Sequence, residues 1–361
     1  MNLENVRNLG VNEEEIMNLL NLYQFKGKDY YYDNILKNDQ GTIIKKNTNK
    51  EILNLAMLLK LEVSEPRKKY ILKNGGEPKN KQERLFLNLK NSLYKFIGNY
   101  NDFEFKAYEI NNMALETFNN VENIKFRTYK IKAKSHGFLA SEEVVSLRDT
   151  LEKMLELFNE KKNSNLYEIT NLITNYYIDF INQNIFTSNN DFIGLLSLYM
   201  IIISSGFNVF KYVSFFELYN KYFNEFNDAI LSAGLHYEDG YSDTKKLNKL
   251  IIKVILEAYD QIEEFIHEYT YDTKITKENG IIGIIYHLPQ EFTKDDIRAE
   301  DPFSSESTIN RALQKLQKEK KIRSLGTGRS ARWIRLVKEP TFENSRQINL
   351  YEIVDDEEDN N

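Results

Sequence analysis

Apolar residues recur every three or four positions through most of residues 1–270, which is the period of an amphipathic α-helix. One such helical face is formed by Leu151, Met154, Leu155 and Phe158. The most apolar stretch, residues 192–203, is too short to cross a bilayer and contains Gly194, so it predicts a buried core helix. We therefore predict a mainly α-helical protein in which residues 1–96 form an N-terminal helical region.

The period changes in residues 124–133, where apolar and polar positions alternate as in a β-strand. Residues 135–137 supply a turn, and residues 138–140 are expected to return as a short second strand. Ser141 is then expected to cap the next helix, with two acids in its first turn. Such a small β-hairpin can bind a partner segment by adding a strand. The open alternative is that the hairpin is purely structural.

A different pattern follows in residues 271–340. Residues 278–288 predict an apolar helix, and Thr293 is expected to cap a short second helix. A third helix over residues 304–318 precedes two short strands joined by a glycine-rich turn at residues 326–328. Three helices followed by a two-stranded wing resemble the winged helix-turn-helix family. The resemblance implies a small α+β domain at this end of the chain.

Charge is distributed unevenly along the chain. The 361 residues carry a formal net charge of −6, which argues against a protein that simply coats nucleic acid. Between Arg311 and Lys338, however, ten Lys or Arg residues accompany one acid, Glu319. A local basic surface of this kind suits DNA phosphates. The predicted DNA-binding residues are Ser305, Ser307, Thr308, Asn310, Arg311, Lys315 and Lys318 on the third helix and Arg329, Arg332 and Arg335 on the wing. The alternative is a winged helix that contacts protein.

Residues 341–361 form an acidic tail, with five consecutive acids at residues 355–359. This composition predicts a disordered segment. Most acidic runs are simply solvated. The alternative hypothesis is that this run folds over the basic winged helix and competes with DNA.

Several classes of protein do not fit the composition. The chain has no cysteine, which excludes a disulfide framework and a thiolate metal site. Its histidines lie far apart without metal-ligand spacing, so no metal site is predicted; they are His136, His236, His267 and His287. The N-terminus has no signal-peptide pattern, and no segment is long and apolar enough to span a membrane. We therefore expect a cytoplasmic protein without membrane contact.

The order of hairpin, two helices, polar loop and apolar helix in residues 97–270 resembles the Fic (Fido) family of nucleotide-transferring proteins. An arginine enters the hairpin in that family, and Arg127 follows Phe126 here. The resemblance implies that the hairpin acts as a flap that holds a target segment. On this chain the flap residues are Arg127, Lys130 and Lys132.

Active members of that family carry a loop that reads H-P-F-x-D-G-N-G-R, followed shortly by a second Gly-Arg. The matching positions here are Asn184, Ile185, Phe186, Ser188, Asn189, Asn190, Asp191 and Phe192, followed by Gly194 and Leu195. The phenylalanine, the asparagine and the later glycine are retained at Phe186, Asn190 and Gly194. The histidine, the acid, the loop glycines and both arginines are not.

These departures bear directly on the chemistry that the resemblance implies. The family's histidine is the general base, and Asn184 cannot take a proton at neutral pH. The family's acid holds the magnesium that bridges the phosphates, and Ser188 is a poor substitute. Asp191 would place a negative charge where phosphate should lie. We therefore expect a catalytically degenerate domain with no catalytic residue and no cofactor.

Three functions remain open from the sequence. The leading hypothesis is a DNA-binding regulator whose Fic-like core binds a partner or ligand, with a protein partner at the hairpin or the core. The second is a protein nucleotidyltransferase with a nonstandard active loop. The third is a protein-binding inhibitor or adaptor of a mobile element. A homodimer is compatible with each of them.

Overall fold

The computed structural model describes residues 1–6, 12–100, 103–132, 142–240, 242–271, 277–301, 304–326 and 331–336. The chain divides into two compact units, Met1–Thr270 (unit 1) and Tyr271–Asn361 (unit 2). The acidic run at residues 355–359 and the predicted strand at residues 138–140 lie outside the described residues.

Unit 1 is built almost entirely of helices, which confirms the predicted mainly α fold class. After a 3-10 turn at Asn2–Asn5, its helices are α1 (Glu13–Lys26), α2 (Asp29–Ile35), α3 (Gln40–Leu58), α4 (Glu65–Asn74), α5 (Lys81–Asn99), α6 (Ala107–Thr117), α7 (Leu147–Ser164), α8 (Ile169–Gln183), α9 (Asn190–Ser204), α10 (Phe215–Lys221), α11 (Phe223–Gly234) and α12 (Lys245–Tyr271). A second 3-10 turn, Asn208–Lys211, connects α9 to α10. The boundary predicted after residue 96 falls inside α5, and buried side chains from both sides of it share one core.

The hairpin of unit 1 pairs β1 (Thr128–Lys132) with β2 (Glu142–Ser146) in antiparallel register. The prediction that Ser141 caps a helix beginning at Glu142 was therefore wrong. The N-cap is Ser146, whose hydroxyl accepts a hydrogen bond from the backbone N–H of Arg148 at 3.2 Å. Cross-strand pairing to β1 outweighs the local helix-start signal. A paired strand provides hydrogen-bond partners for many backbone groups, whereas a helix cap provides a partner for one.

The core of unit 1 is centred on α8 and α9. Residues 192–203 of α9 are all buried, which confirms the predicted core helix. Gly194 explains how closely the two helices approach, since an added Cβ atom would lie 2.9 Å from Ile181 Cδ1 and 3.0 Å from Phe180 Cδ1. A side chain at this position would force α8 and α9 apart.

Buried acids join the beginning of the chain to elements far along it. Asp179 in α8 accepts hydrogen bonds from the backbone N–H groups of Asn2 and Leu3, and burial raises the pKa of its carboxyl. Glu51 in α3 binds the N-terminus of α10, accepting hydrogen bonds from the Ser214 hydroxyl at 2.6 Å and the Phe215 N–H at 2.7 Å. Burial raises the pKa of Glu51 to about 8, against the lowering effect of these donors. Two N-terminal segments are thereby fixed to the later helices.

Unit 2 combines three helices with a three-stranded antiparallel sheet. The elements are α13 (Lys277–His287), β3 (Glu291–Thr293), α14 (Lys294–Glu300), α15 (Glu306–Lys318), β4 (Ile322–Ser324) and β5 (Arg332–Arg335). The strand order is β3-β5-β4, so the predicted two-stranded wing has a third strand that the sequence reading missed. The unit has its own core, in which Ile281, Ile309, Leu313 and Trp333 are buried. The predicted cap at Thr293 is present as a reciprocal capping box with Asp296.

Within the part of the chain that the structure describes, no helix has the length and apolar character needed to cross a membrane.

Candidate functional site

The candidate site of unit 1 is the loop between α8 and α9, residues 184–190. Asn184 ends α8 with φ 49° and ψ 57°, and Asn189 precedes α9 with φ 57° and ψ 27°. Both residues adopt the left-handed conformation, which asparagine tolerates better than most residues other than glycine. One asparagine thus turns the chain at each end of the loop.

Backbone hydrogen bonds join this loop to the segment that enters the hairpin. The N–H of Arg127 donates to the Ile185 carbonyl at 2.9 Å, and the N–H of Thr187 donates to the Lys125 carbonyl at 2.8 Å. Between them, the rings of Phe126 and Phe186 stack with centroids 5.0 Å apart. The guanidinium of Arg127 donates to the Asn184 carbonyl at 2.9 Å. Arg127 and Asn184, predicted separately as flap and loop residues, therefore lie in direct contact.

Asn190 closes the loop from the other side. Its Oδ1 accepts a hydrogen bond from the Phe186 N–H, and its Nδ2 donates to the Phe186 carbonyl, both at 2.8 Å. The side chain of Phe186 is fully buried. The side-chain amide of Asn190 thus holds the loop backbone. The polar loop residue that matches the Fic pattern therefore has a structural role.

Two further polar side chains of the loop, Ser188 and Asn189, contact Glu122, a residue that sequence reasoning missed. The Ser188 hydroxyl and the Asn189 Nδ2 each donate to one oxygen of the Glu122 carboxylate, the latter at 2.8 Å. Glu122 lies 66 residues before Ser188, so no local sequence signal could have identified it. The loop therefore presents hydrogen-bond donors to a carboxylate of its own chain.

Asp191 lies in the first turn of α9. Burial raises the pKa of Tyr219 to about 12, and the negative charge of Asp191 adds to that increase. Burial also raises the pKa of Tyr177, which neighbours Tyr219. Both phenols are consequently protonated at neutral pH.

The Fic resemblance implies magnesium and a nucleotide at this loop. Hard cations need several converging oxygen ligands, and phosphates need free donors. Here Ser188 donates to Glu122, both polar atoms of Asn190 contact the Phe186 backbone, and Phe192 is buried. Among the described residues, no group of three His, Cys, Asp or Glu side chains could hold a metal ion. The side chains of Ser188 and Asn190 are therefore engaged by groups of the chain itself.

The other predicted residues of unit 1 occupy different environments. Gly194 is buried at the contact between α8 and α9, away from the loop surface. Lys130 and Lys132 belong to β1, where they pair with Val144 and Glu142 of β2. The apolar side chains of Tyr129 and Val144 on this hairpin are 48% and 62% exposed.

The second candidate site is the exposed face of α15 in unit 2. Ser305 caps the helix by accepting from the Thr308 N–H at 3.2 Å. Beyond this cap, the exposed positions are Glu306, Ser307, Arg311, Gln314, Lys315, Gln317 and Lys318, and Asn310 is half-buried. No acid lies among the residues of α15 after Glu306, which is itself paired with Arg298 at 3.3 Å. The helix thus presents a face of cationic and uncharged polar groups.

Two of the residues predicted to contact DNA do not have freely exposed side chains in the structure. Thr308 is buried, 8% exposed, because its position in the first turn lies on the inward face with Ile309. Arg335 donates through its two terminal nitrogens to the Tyr286 and Leu288 carbonyls, so it stabilises the C-terminal end of α13. The Arg332 side chain is 72% exposed, and its Nη1 lies 4.0 Å from Glu291 Oε2. Arg329 lies outside the described residues.

The sequence matches no protein-family model and no curated protein. Solved structures are similar in fold. A Fic family protein from Desulfovibrio desulfuricans aligns with a TM-score of 0.50 at 9% identity, covering 89% of this chain and 96% of that one. Two others are Fic-1 from C. elegans (TM-score 0.47, 11% identity, 69% and 71% covered) and a Fic domain containing signaling protein from Bacteroides thetaiotaomicron (TM-score 0.45, 15% identity, 68% and 97% covered). The first comparison shows that the chain has the fold of Fic family proteins.

Proposed function

We propose that this protein is a DNA-binding regulator in which a catalytically degenerate Fic-like domain is joined to a winged helix-turn-helix domain. Unit 2 supplies the helix order and the three-stranded sheet that a winged helix needs. α15 is its recognition helix and enters the major groove. The observation that carries the proposal is the exposed face of α15, on which cations alternate with uncharged hydrogen-bonding side chains.

The exposed side chains of α15 have different roles in DNA binding, which follow from their chemistry. Arg311 and Gln314, one turn apart, can donate to guanine or adenine edges in the major groove. Lys318, at the C-terminal end, lies where a groove-bound helix passes the phosphate backbone, so it contributes affinity without sequence preference. Ser305 and Ser307 lie at the N-terminal end of the helix, where hydroxyl groups can hydrogen-bond a phosphate or a base edge.

Unit 1 would act by binding and not by catalysis. The position of the family's general base is held by Asn184, and the side chains of Asn190 and Ser188 bind the Phe186 backbone and the Glu122 carboxylate. Its exposed hairpin offers a strand edge and the apolar side chains of Tyr129 and Val144 to a partner segment. We propose that a protein partner bound at this hairpin regulates the DNA-binding unit.

DNA binding is tested by a salt titration with short random duplexes and genomic fragments, using fluorescence anisotropy. The wild-type chain should show affinity that falls steeply as salt rises. The variant Arg311→Ala with Lys318→Ala should lose about tenfold in affinity, and its salt slope should decrease by about 2. The control, Lys37→Ala with Lys73→Ala, removes the same charge from exposed positions of unit 1 and should bind as wild type does.

Equal affinity for the α15 variant and the control would show that α15 is not the DNA-binding face. Absence of salt-sensitive binding in the wild type would transfer the assignment to a protein-binding adaptor. A separate assay addresses the enzymatic alternative: α-labelled ATP with magnesium and cell lysate should label no target protein. Labelling that disappears on replacing residues 187–191 would refute the assignment of a degenerate loop.

A further inference from the structure

The basic surface of unit 2 continues beyond α15. We define the α15 basic surface as the exposed side chains of Arg311, Lys315, Lys318 and Lys320. In the described part of unit 2, no ion pair involves Arg311, Lys318 or Lys320. The acid that follows the helix, Glu319, is paired with Lys321 at 2.8 Å. The positive charges of Arg311, Lys318 and Lys320 are therefore not paired with the described acids of this unit.

The chain leaves the sheet of unit 2 beside this surface. The N–H of Leu336, at the end of β5, donates to the Lys321 carbonyl at 2.8 Å. Lys321 follows the C-terminal turn of α15 and is the immediate neighbour of Lys320. Whatever follows Leu336 in the sequence therefore starts next to the cationic end of α15.

The sequence that follows carries the opposite charge. Residues 337–354 connect Leu336 to five consecutive acids, Asp355, Asp356, Glu357, Glu358 and Asp359. A connection of this length reaches at most about 60 Å, whereas the 13 residues of α15 extend only about 20 Å. The acidic run can thus reach every cation of the surface. Tethering gives it an effective concentration of about a millimolar, so even a weak contact is populated.

We propose that the acidic run at residues 355–359 docks on the α15 basic surface and competes there with DNA phosphates. This inference rests on the proposed DNA binding and adds its regulation. Five carboxylates replace the phosphates that Arg311, Lys315, Lys318 and Lys320 would otherwise bind. Because both interactions are ionic, the contact weakens as salt rises, and its influence on DNA affinity is largest at low ionic strength.

The test compares three full-length proteins. In the tail variant the five acids become their amides, by Asp355→Asn, Asp356→Asn, Glu357→Gln, Glu358→Gln and Asp359→Asn. The control variant changes net charge by the same amount in unit 1, at the exposed residues Glu62, Glu156, Glu160, Glu225 and Glu238, each to Gln. At about 50 mM salt the tail variant should bind a short duplex about tenfold more tightly than wild type, and the difference should vanish above about 0.3 M. The control should gain much less.

A second measurement detects the contact without DNA. A carbodiimide activates a carboxylate so that a neighbouring lysine amine displaces the activating group as a urea and forms an amide with loss of water. Mass spectrometry of the cross-linked wild-type chain should join residues 355–359 to Lys315, Lys318 or Lys320, and not to the exposed Lys37 or Lys73 of unit 1. An amidated tail cannot form these cross-links.

The outcomes separate the two proposals. Unchanged DNA affinity in the tail variant, or an equal gain in the control, would overturn tail docking while DNA binding stands. Failure of all three proteins to bind DNA would overturn the proposed function, and the cross-links would then decide docking alone. Cross-links spread evenly over unit 1 and unit 2 would also overturn it.

Discussion

Asn190 provides the sharpest test of how the loop between α8 and α9 is held. Replacing Asn190 by Ala removes the side-chain partners of the Phe186 N–H and carbonyl groups. The neighbouring backbone hydrogen bonds cannot replace them, because Arg127 donates to Ile185 and Thr187 donates to Lys125. Each hydrogen bond contributes about 1 kcal/mol net, and an unsatisfied buried group costs more. We therefore expect Asn190→Ala to lower the unfolding free energy of unit 1 by about 2–3 kcal/mol.

The two units can be followed separately in one urea titration. The only tryptophan, Trp333, lies in unit 2, whereas the helices that dominate the far-ultraviolet circular dichroism lie mostly in unit 1. Asn190→Ala should shift the dichroism transition and leave the tryptophan fluorescence transition in place. In a thermal scan the unit 1 midpoint should fall by about 5–10 °C.

The matched control is Asn189→Gly. Glycine accepts the left-handed φ of 57° without strain, so this change removes only the amide contacts with exposed Glu122 and with the Ser188 hydroxyl. It should alter stability by less than about 0.5 kcal/mol. If Asn190→Ala is as stable as this control, the paired hydrogen bonds to Phe186 do not hold the loop, and the structural assignment of Asn190 fails.

Two further predictions concern other buried groups. Arg335→Ala removes the donors that bind the Tyr286 and Leu288 carbonyls and should destabilise unit 2 by about 1–3 kcal/mol, read from Trp333 fluorescence, whereas Arg332→Ala at an exposed position should not. Burial raises the pKa of the Glu51 carboxyl from its usual value of 4.5 to about 8. Between these two pH values the folded chain keeps a proton on Glu51 that the unfolded chain releases. The unfolding free energy of unit 1 should therefore fall as pH rises from about 5 to about 8, by up to a few kcal/mol, and Glu51→Gln should flatten this dependence.

Local signals predicted local structure well. The capping box at Thr293 involves residues three positions apart, so the sequence contains the whole interaction. The buried helix α9 was equally evident, since its apolar run has only one stable location. The start of α7 was misplaced because Ser141 and the acids after it resemble a cap, and the pairing that places Glu142 in a strand comes from Lys132.

The chemistry of the loop was less predictable. Sequence comparison with the Fic pattern identified which side chains are missing, but it treated the retained Asn190 and Gly194 as parts of a former site. The structure shows them holding Phe186 and spacing α8 from α9. Glu122 could not be found, because its partners lie 66 and 67 residues away. Likewise, the polar character of Thr308 suggested exposure, although its place in the helix turns it inward.

The hydrogen bonds that join the start of the chain to later helices have a consequence for synthesis on the ribosome. Asn2, Asp33 and Glu51 bind residues that follow them by 177, 178 and 163 positions, respectively. At about 5–20 residues per second, their partners emerge roughly 10–30 s later. Until Ser214 has been translated, the α3 segment that carries Glu51 has no helix terminus to bind, so unit 1 cannot complete its core from the N-terminal end. A nascent chain stopped before residue 215 should therefore depend on chaperones, whereas unit 2, with its short-range contacts, can fold as soon as it is made.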